Sequence, residues 1–173
     1  TIDGDTRVDG VPVEPGDAVV VATSGTSGVA KAAVLTMSAV EASARATTER
    51  LNVSLRDTWL ACLPPSHVGG LSVITRSLIM GTSLIPVPSF SPDSYEEAAK
   101  SGATLVSLVS TALQRIDPSL FRTIVLGGSR QASQLPANCV TTYGLTETGS
   151  GVVYNGKALR GVELEIRDSI VYI

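Results

Sequence analysis

The sequence predicts an α/β domain built on a largely parallel sheet flanked by helices. Three observations carry that prediction. Short β-branched, apolar runs alternate with helical segments through the middle of the chain, the order expected of parallel strands joined by crossover helices. Two further β-rich runs, residues 17–22 and 32–36, enclose a Gly/Ser/Thr-rich loop, which makes that loop a strand–loop–strand connection. Apolar residues are 43% and charged residues 17% of 173 positions, a globular balance in a chain long enough to bury one core.

Each element has a local reason. Pro15-Gly16-Asp17 turns the chain into the first strand of the hairpin. Ser38 followed by Glu41 reads as a capping box, opening a helix to about Leu51. Residues 58–63 form a strand that ends at Pro64-Pro65, and a helix follows from Gly70 to Met80, stopped by Gly81. Residues 83–87 return as a strand. Ser91-Pro92 starts the next helix with proline at its first position, and Gly102 ends it. Residues 104–109 are a buried-type strand, 111–116 a short helix, and 123–126 a strand leading into Gly127-Gly128. Residues 139–142 form a strand that feeds Tyr143, and 152–173 read as short antiparallel strands with a turn at Asp168-Ser169. Ligand loops are expected at the carboxyl ends of the parallel strands.

The composition excludes several functions. A net charge of −3 argues against a general nucleic-acid or membrane-surface binder. No apolar run reaches the length of a membrane span, and the polar opening, residues 1–9, is not a signal peptide. Cys62 and Cys139 stand singly in apolar strand-like segments, which predicts reduced core thiols in a cytoplasmic protein. The chain stops within an apparent strand at Ile170-Val171-Tyr172-Ile173, and is expected to be a fragment of something longer.

The chemistry concentrates in two places. Thr23-Ser24-Gly25-Thr26-Ser27-Gly28-Val29-Ala30-Lys31 combines glycines, hydroxyls and one lysine in a single loop. Glycines let backbone N–H groups close around an anion, hydroxyls add donors, and Lys31 adds a mobile positive charge. Its order departs from the P-loop pattern, because two residues separate Gly28 from Lys31 and no hydroxyl follows the lysine. Such a loop alone is also compatible with a plain surface turn. The second signal, Tyr143-Gly144-Leu145-Thr146-Glu147, lies far downstream.

Together these motifs resemble the acyl-adenylating, AMP-binding superfamily of acyl-CoA synthetases, peptide-synthetase adenylation domains and luciferases. The resemblance implies that the first loop wraps the β- and γ-phosphates of ATP. It implies that Tyr143 lies against adenine beside Thr142 and Gly144, that Thr146 touches the α-phosphate, and that Glu147 holds Mg²⁺. Lys31, Thr146 and Glu147 are then the expected catalytic residues, stabilising charge on the phosphates. The fold implied is that of the superfamily's large domain in part: a core over about 1–151 and the start of a small β subdomain over about 152–173.

A narrower likeness is to the o-succinylbenzoate–CoA ligases of menaquinone biosynthesis. It rests on the segment from Thr104 to Arg115, with its Ser-Leu-Val strand and Leu-Gln-Arg helix, and on Gly70-Leu71-Ser72 followed by Arg76. Ser110 departs from it, standing where proline is usual. The resemblance places Arg76 and Ser107 against an aromatic diacid, and an arginine fork suits the carboxylate that is not activated. A solvated helix charge and a small core residue are the plainer readings of these two. His67, the sole histidine, lies in a Pro-Ser-His-Val-Gly-Gly turn that the resemblance sets beside the acyl pocket. A lone histidine is also often merely structural. Gly127-Gly128-Ser129 matches a turn beneath adenine and acyl group. The expected reaction joins a small-molecule carboxylate to coenzyme A through an acyl-AMP, using ATP and Mg²⁺.

The superfamily's Thr-Gly-Asp motif, its hinge and its mobile C-terminal domain have no counterpart in these residues. The chain alone is therefore expected to be a poor catalyst whose partners include that domain and a second copy of itself as a homodimer. Another acid–thiol ligase and a non-catalytic nucleotide-binding module stay open. The second would predict a damaged loop or a missing Glu147, and neither is found. A P-loop phosphotransferase is disfavoured by the order of the loop.

Overall fold

The computed structural model describes residues 14–23, 31–128, 134–168 and 170–173. A hairpin comes first, with β1 (Asp17–Thr23) antiparallel to β2 (Lys31–Thr36), and the helix α1 (Met37–Arg50) follows without a break. Then come β3 (Thr58–Ala61), α2 (Val68–Met80), β4 (Ser83–Pro86), α3 (Pro92–Lys100), β5 (Leu105–Val109), the short α4 (Ser110–Leu113) and β6 (Thr123–Gly127). The chain ends with β7 (Cys139–Leu145), β8 (Ser150–Tyr154), β9 (Lys157–Ala158), β10 (Glu165–Arg167) and β11 (Ile170–Tyr172).

Strands β4-β3-β5-β6-β7-β8-β9 form one seven-stranded sheet, parallel from β4 to β7 and antiparallel beyond. The central strands are buried on both faces, which is why they read as continuous apolar runs. Their two-residue alternation still sorts side chains. Leu60, Val106, Leu108, Ile124 and Leu126 pack with Tyr95 and Ala98 of α3. Trp59, Ala61, Leu105 and Val125 take the other face, with Leu51, Val73 of α2 and Tyr154 of β8. Each fully buried side chain of this size stabilises the fold by about 1.5–3 kcal/mol. Ser107, one residue from both Val106 and Leu108, falls on the Trp59 face.

Several boundaries differ from the expected ones, each for a local reason. The α1 cap is Thr36, not Ser38 with Glu41: the Ala39 N–H donates to Thr36 Oγ1 at 3.2 Å, and Ser38 Oγ lies 3.0 Å from the same oxygen. The last residue of β2 doubles as the cap, so no separate box is needed. Helix α2 begins two residues before Gly70, at Val68. Gly70 is there for clearance, since a Cβ would sit 2.3 Å from the Pro64 carbonyl oxygen. Gly81, at φ 71°, closes the helix as expected, and Ser91 forms its capping box with Ser94 ahead of Pro92.

Strand β7 runs on through Leu145 because β8 pairs with it, so Tyr143, Gly144 and Leu145 lie on a strand. The division expected near residue 151 falls inside β8. Both β8 and β9 continue the main sheet, and β10 with β11 forms a separate hairpin turning at Asp168, φ 50°.

At the amino ends of β5 and β6 a buried ionic cluster ties loops together. The Asp57 carboxylate, 7% exposed, accepts hydrogen bonds from Ser54 N–H (2.8 Å) and Thr104 Oγ1 (2.9 Å) and pairs with Arg122 at 2.9 Å. Burial pushes its pKa up, but the bonds from Ser54, Thr104 and Arg122 outweigh that and hold it below the usual value.

Candidate active site

A cavity of about 400 Å³ opens at the carboxyl ends of β5, β6 and β7, where the first turns of α2 cross them. This is where a parallel sheet leaves room for ligands, because its strands end in loops there. Gly69, Ser72 and Arg76 line one wall, spaced three and four residues apart and so on one face of α2. Ser107, Gly127, Gly128 and Thr142 form the floor at the strand ends.

Arg76 is the unusual member. It is 3% exposed, and its Nε and Nη1 have no hydrogen-bond partner among the described residues. Its guanidinium carbon lies 5.0 Å from the centre of the Trp59 ring. Burial draws its pKa down, partly opposed by Tyr154. A guanidinium stays charged in proteins. A buried cation with unpartnered donors in a residue that lines a cavity is a place for an anion.

The other predicted residues sit as follows. Thr142 Oγ1 donates to the Leu126 carbonyl at 3.2 Å, which pins the head of the Tyr143 motif to the end of β6. Gly144 is required by space: a Cβ there would lie 2.2 Å from the Ser150 carbonyl oxygen, where β7 and β8 shift register. Tyr143 is 46% exposed and lines the cavity mouth. Thr146 and exposed Glu147 sit in a short helical turn, residues Thr146–Thr148, anchored by the Leu145 N–H donating to Thr148 Oγ1 at 2.9 Å. That turn packs against β2, and Gly149 just after it lies beside Leu35.

Lys31 opens β2 and is exposed; across the hairpin, Thr23 Oγ1 donates to its carbonyl at 3.3 Å. Ser24, Gly25, Thr26, Ser27, Gly28 and Ser129 lie outside the described residues. Gly128, at φ 90°, turns the chain away from β6 in a conformation that favours glycine.

His67 is exposed and sits at the N-cap of α2, directly before Val68 and Gly69, which line the cavity. Sequence reasoning missed Ser72, Ser150 and Tyr154 as lining residues. Ser72 was legible, four residues before Arg76 on the same helix face. Tyr154 was not, since only the β7–β8 pairing brings it there.

Cys62 and Cys139 are free and buried, and burial pushes the Cys62 thiol up to about 11, which keeps it unreactive. Among the described residues no cluster of three metal-binding side chains occurs, and no helix is long and apolar enough to cross a membrane.

The profile of the AMP-binding enzymes matches residues 3–170. The chain belongs to that family. A 2-succinylbenzoate–CoA ligase of Bacillus anthracis (strain A0248) is 36% identical over 149 residues, 77% of this chain and 31% of the relative. An o-succinylbenzoate CoA synthetase from Bacillus subtilis, a double mutant bound to a product analogue, superposes with a TM-score of 0.79 at 28% identity, over 91% of this chain and 38% of that one. The B. subtilis enzyme in complex with ATP and magnesium ion gives 0.77 at 26% identity, over 98% and 42%. The chain thus spans about a third of the length of the curated relatives it matches. As an AMP-binding enzyme it carries the large-domain architecture, with the cavity at its strand ends.

Proposed function

We propose that the whole protein is an acid–thiol ligase that activates o-succinylbenzoate as an acyl-adenylate and transfers it to coenzyme A. The carrying observation is Arg76, buried in the cavity wall with two donors unpartnered among the described residues. A diacid fits it. One carboxylate takes the guanidinium fork and the other remains for reaction.

In the first step an oxygen of the reacting carboxylate attacks the α-phosphorus of ATP, and pyrophosphate leaves. In the second the coenzyme A thiol attacks the acyl carbonyl, and AMP leaves. No base is needed to ionise the acid, because a carboxylate is already charged near neutral pH. That fits an exposed His67 at the N-cap of α2. The Tyr143 ring offers a face for adenine, and Thr146 a hydroxyl for the α-phosphate. Lys31 and the residue 23–28 loop supply positive charge and donors to the outer phosphates.

Glu147 is an isolated exposed carboxylate beside the Thr146 hydroxyl. This suits Mg²⁺, which takes one or two protein carboxylates and fills its shell with phosphate oxygens and water. Bound there, it supplies neutralisation of phosphate charge. The chain of 173 residues by itself is expected to bind ligands more readily than it turns them over. The cytoplasmic location and the homodimer expected above belong to this proposal, and sedimentation of the purified chain checks the second.

Calorimetric titration with o-succinylbenzoate tests the reading. Binding by the native chain, weakened on the order of 100-fold in Arg76→Ala, is the expected result. Equal binding by both proteins would overturn it.

A further inference from the structure

Trp59 belongs to β3, between β4 and β5, with Leu84 and Leu105 as ladder partners on either side. It is completely buried and does not itself line the cavity. A guanidinium presents two distinct surfaces: flat faces, and an in-plane edge of five N–H donors. The guanidinium carbon lies over the indole ring, 5.0 Å from its centre, while Nε and Nη1 are shielded from solvent and have no hydrogen-bond partner among the described residues. A protein carboxylate holding Arg76 would have consumed that edge. With no support at all, the long side chain would be mobile, and its ordering would weaken ligand binding.

We propose that Trp59 is a positioning residue for anion recognition, its indole face holding the Arg76 guanidinium so that the donor edge meets a ligand carboxylate in the cavity. This rests on the reading of Arg76 given above. The sheet makes the support rigid, since Trp59 is packed among Val73, Val125 and Tyr154. Indole is also the aromatic ring that attracts a cation most strongly.

The chain has a single tryptophan, so its emission reports this contact alone. The native chain is titrated with o-succinylbenzoate and with benzoylpropionate, which lacks the ring carboxylate. The diacid shifts the emission, the monoacid does not, and Arg76→Met abolishes the shift. In parallel, Trp59→Leu weakens diacid binding about tenfold and Trp59→Phe less, with monoacid binding unchanged in both. Equal losses for the two acids would reduce Trp59 to a core residue and overturn the proposal. Should Trp59→Leu fail to fold, saturating diacid that leaves native emission unchanged overturns it instead. If native protein prefers the diacid and Arg76→Met loses that preference while Trp59→Leu keeps it, only the positioning role falls. If native protein binds both acids alike, the carboxylate reading of Arg76 falls, and the positioning role with it.

Discussion

The two ends of the central sheet treat buried charge in opposite ways. At the amino ends, Asp57 is surrounded by donors from Ser54, Thr104 and Arg122. At the carboxyl ends, Arg76 is more deeply buried and, among the described residues, has no acidic partner, with the Trp59 ring under its guanidinium. A satisfied buried ion holds loops in place, whereas an unsatisfied one costs stability and is kept only where a ligand completes it. On the reading proposed above, the difference separates the part of the fold that holds the structure from the part that takes the ligand.

The largest effect should come from the satisfied end. Asp57→Ala strands the Ser54 and Thr104 donors, and is expected to lower stability by about 3 kcal/mol in denaturant unfolding. It should leave diacid affinity intact. An unchanged midpoint would break the contrast. The opposite sign is expected at the other end: Arg76→Met removes an unpaired charge and should raise stability by about 1–2 kcal/mol, net of the lost ring contact. A destabilised Arg76→Met would mean that the arginine holds the fold.

Acid titration sharpens the same comparison. The folded-state pKa of Asp57 lies below its unfolded value, so its contribution is fully present above about pH 4 and is lost as pH falls through the lower folded value. Melting curves of Asp57→Asn should therefore lose part of the acid-side slope, and Arg76→Met should keep all of it. The smallest effect concerns the cavity back wall. Tyr154→Phe removes the 3.2 Å contact between the Tyr154 hydroxyl and Thr47 Oγ1, worth about 1 kcal/mol. A melting shift several times larger would show that Tyr154 supports Arg76 as well.

Much of the architecture was legible because it is written locally. The parallel strands announce themselves by apolar runs, and the helix ends by Ser91-Pro92 and Gly81. The start of α1 was missed because its cap, Thr36, is also the last residue of a strand, and a dual role has no sequence signature. The reach of β7 was missed because pairing with β8 decides it, not propensity. In the site, glycine positions were legible as chemistry, but their reasons were spatial: Gly144 clears the Ser150 carbonyl and Gly70 clears that of Pro64.

By itself the sequence determined the α/β class, the two motifs that mark an AMP-binding enzyme, and Arg76 as a candidate for holding a carboxylate. Periodicity and turn chemistry act over a few residues, so they survive in a linear reading. The tertiary structure alone decided that Arg76 is buried with no acidic partner among the described residues and that its guanidinium lies over Trp59. It also brought Tyr154 into the cavity wall. Burial and unsatisfied charge depend on which elements stack over which, and that information exists only once the sheet has closed around them.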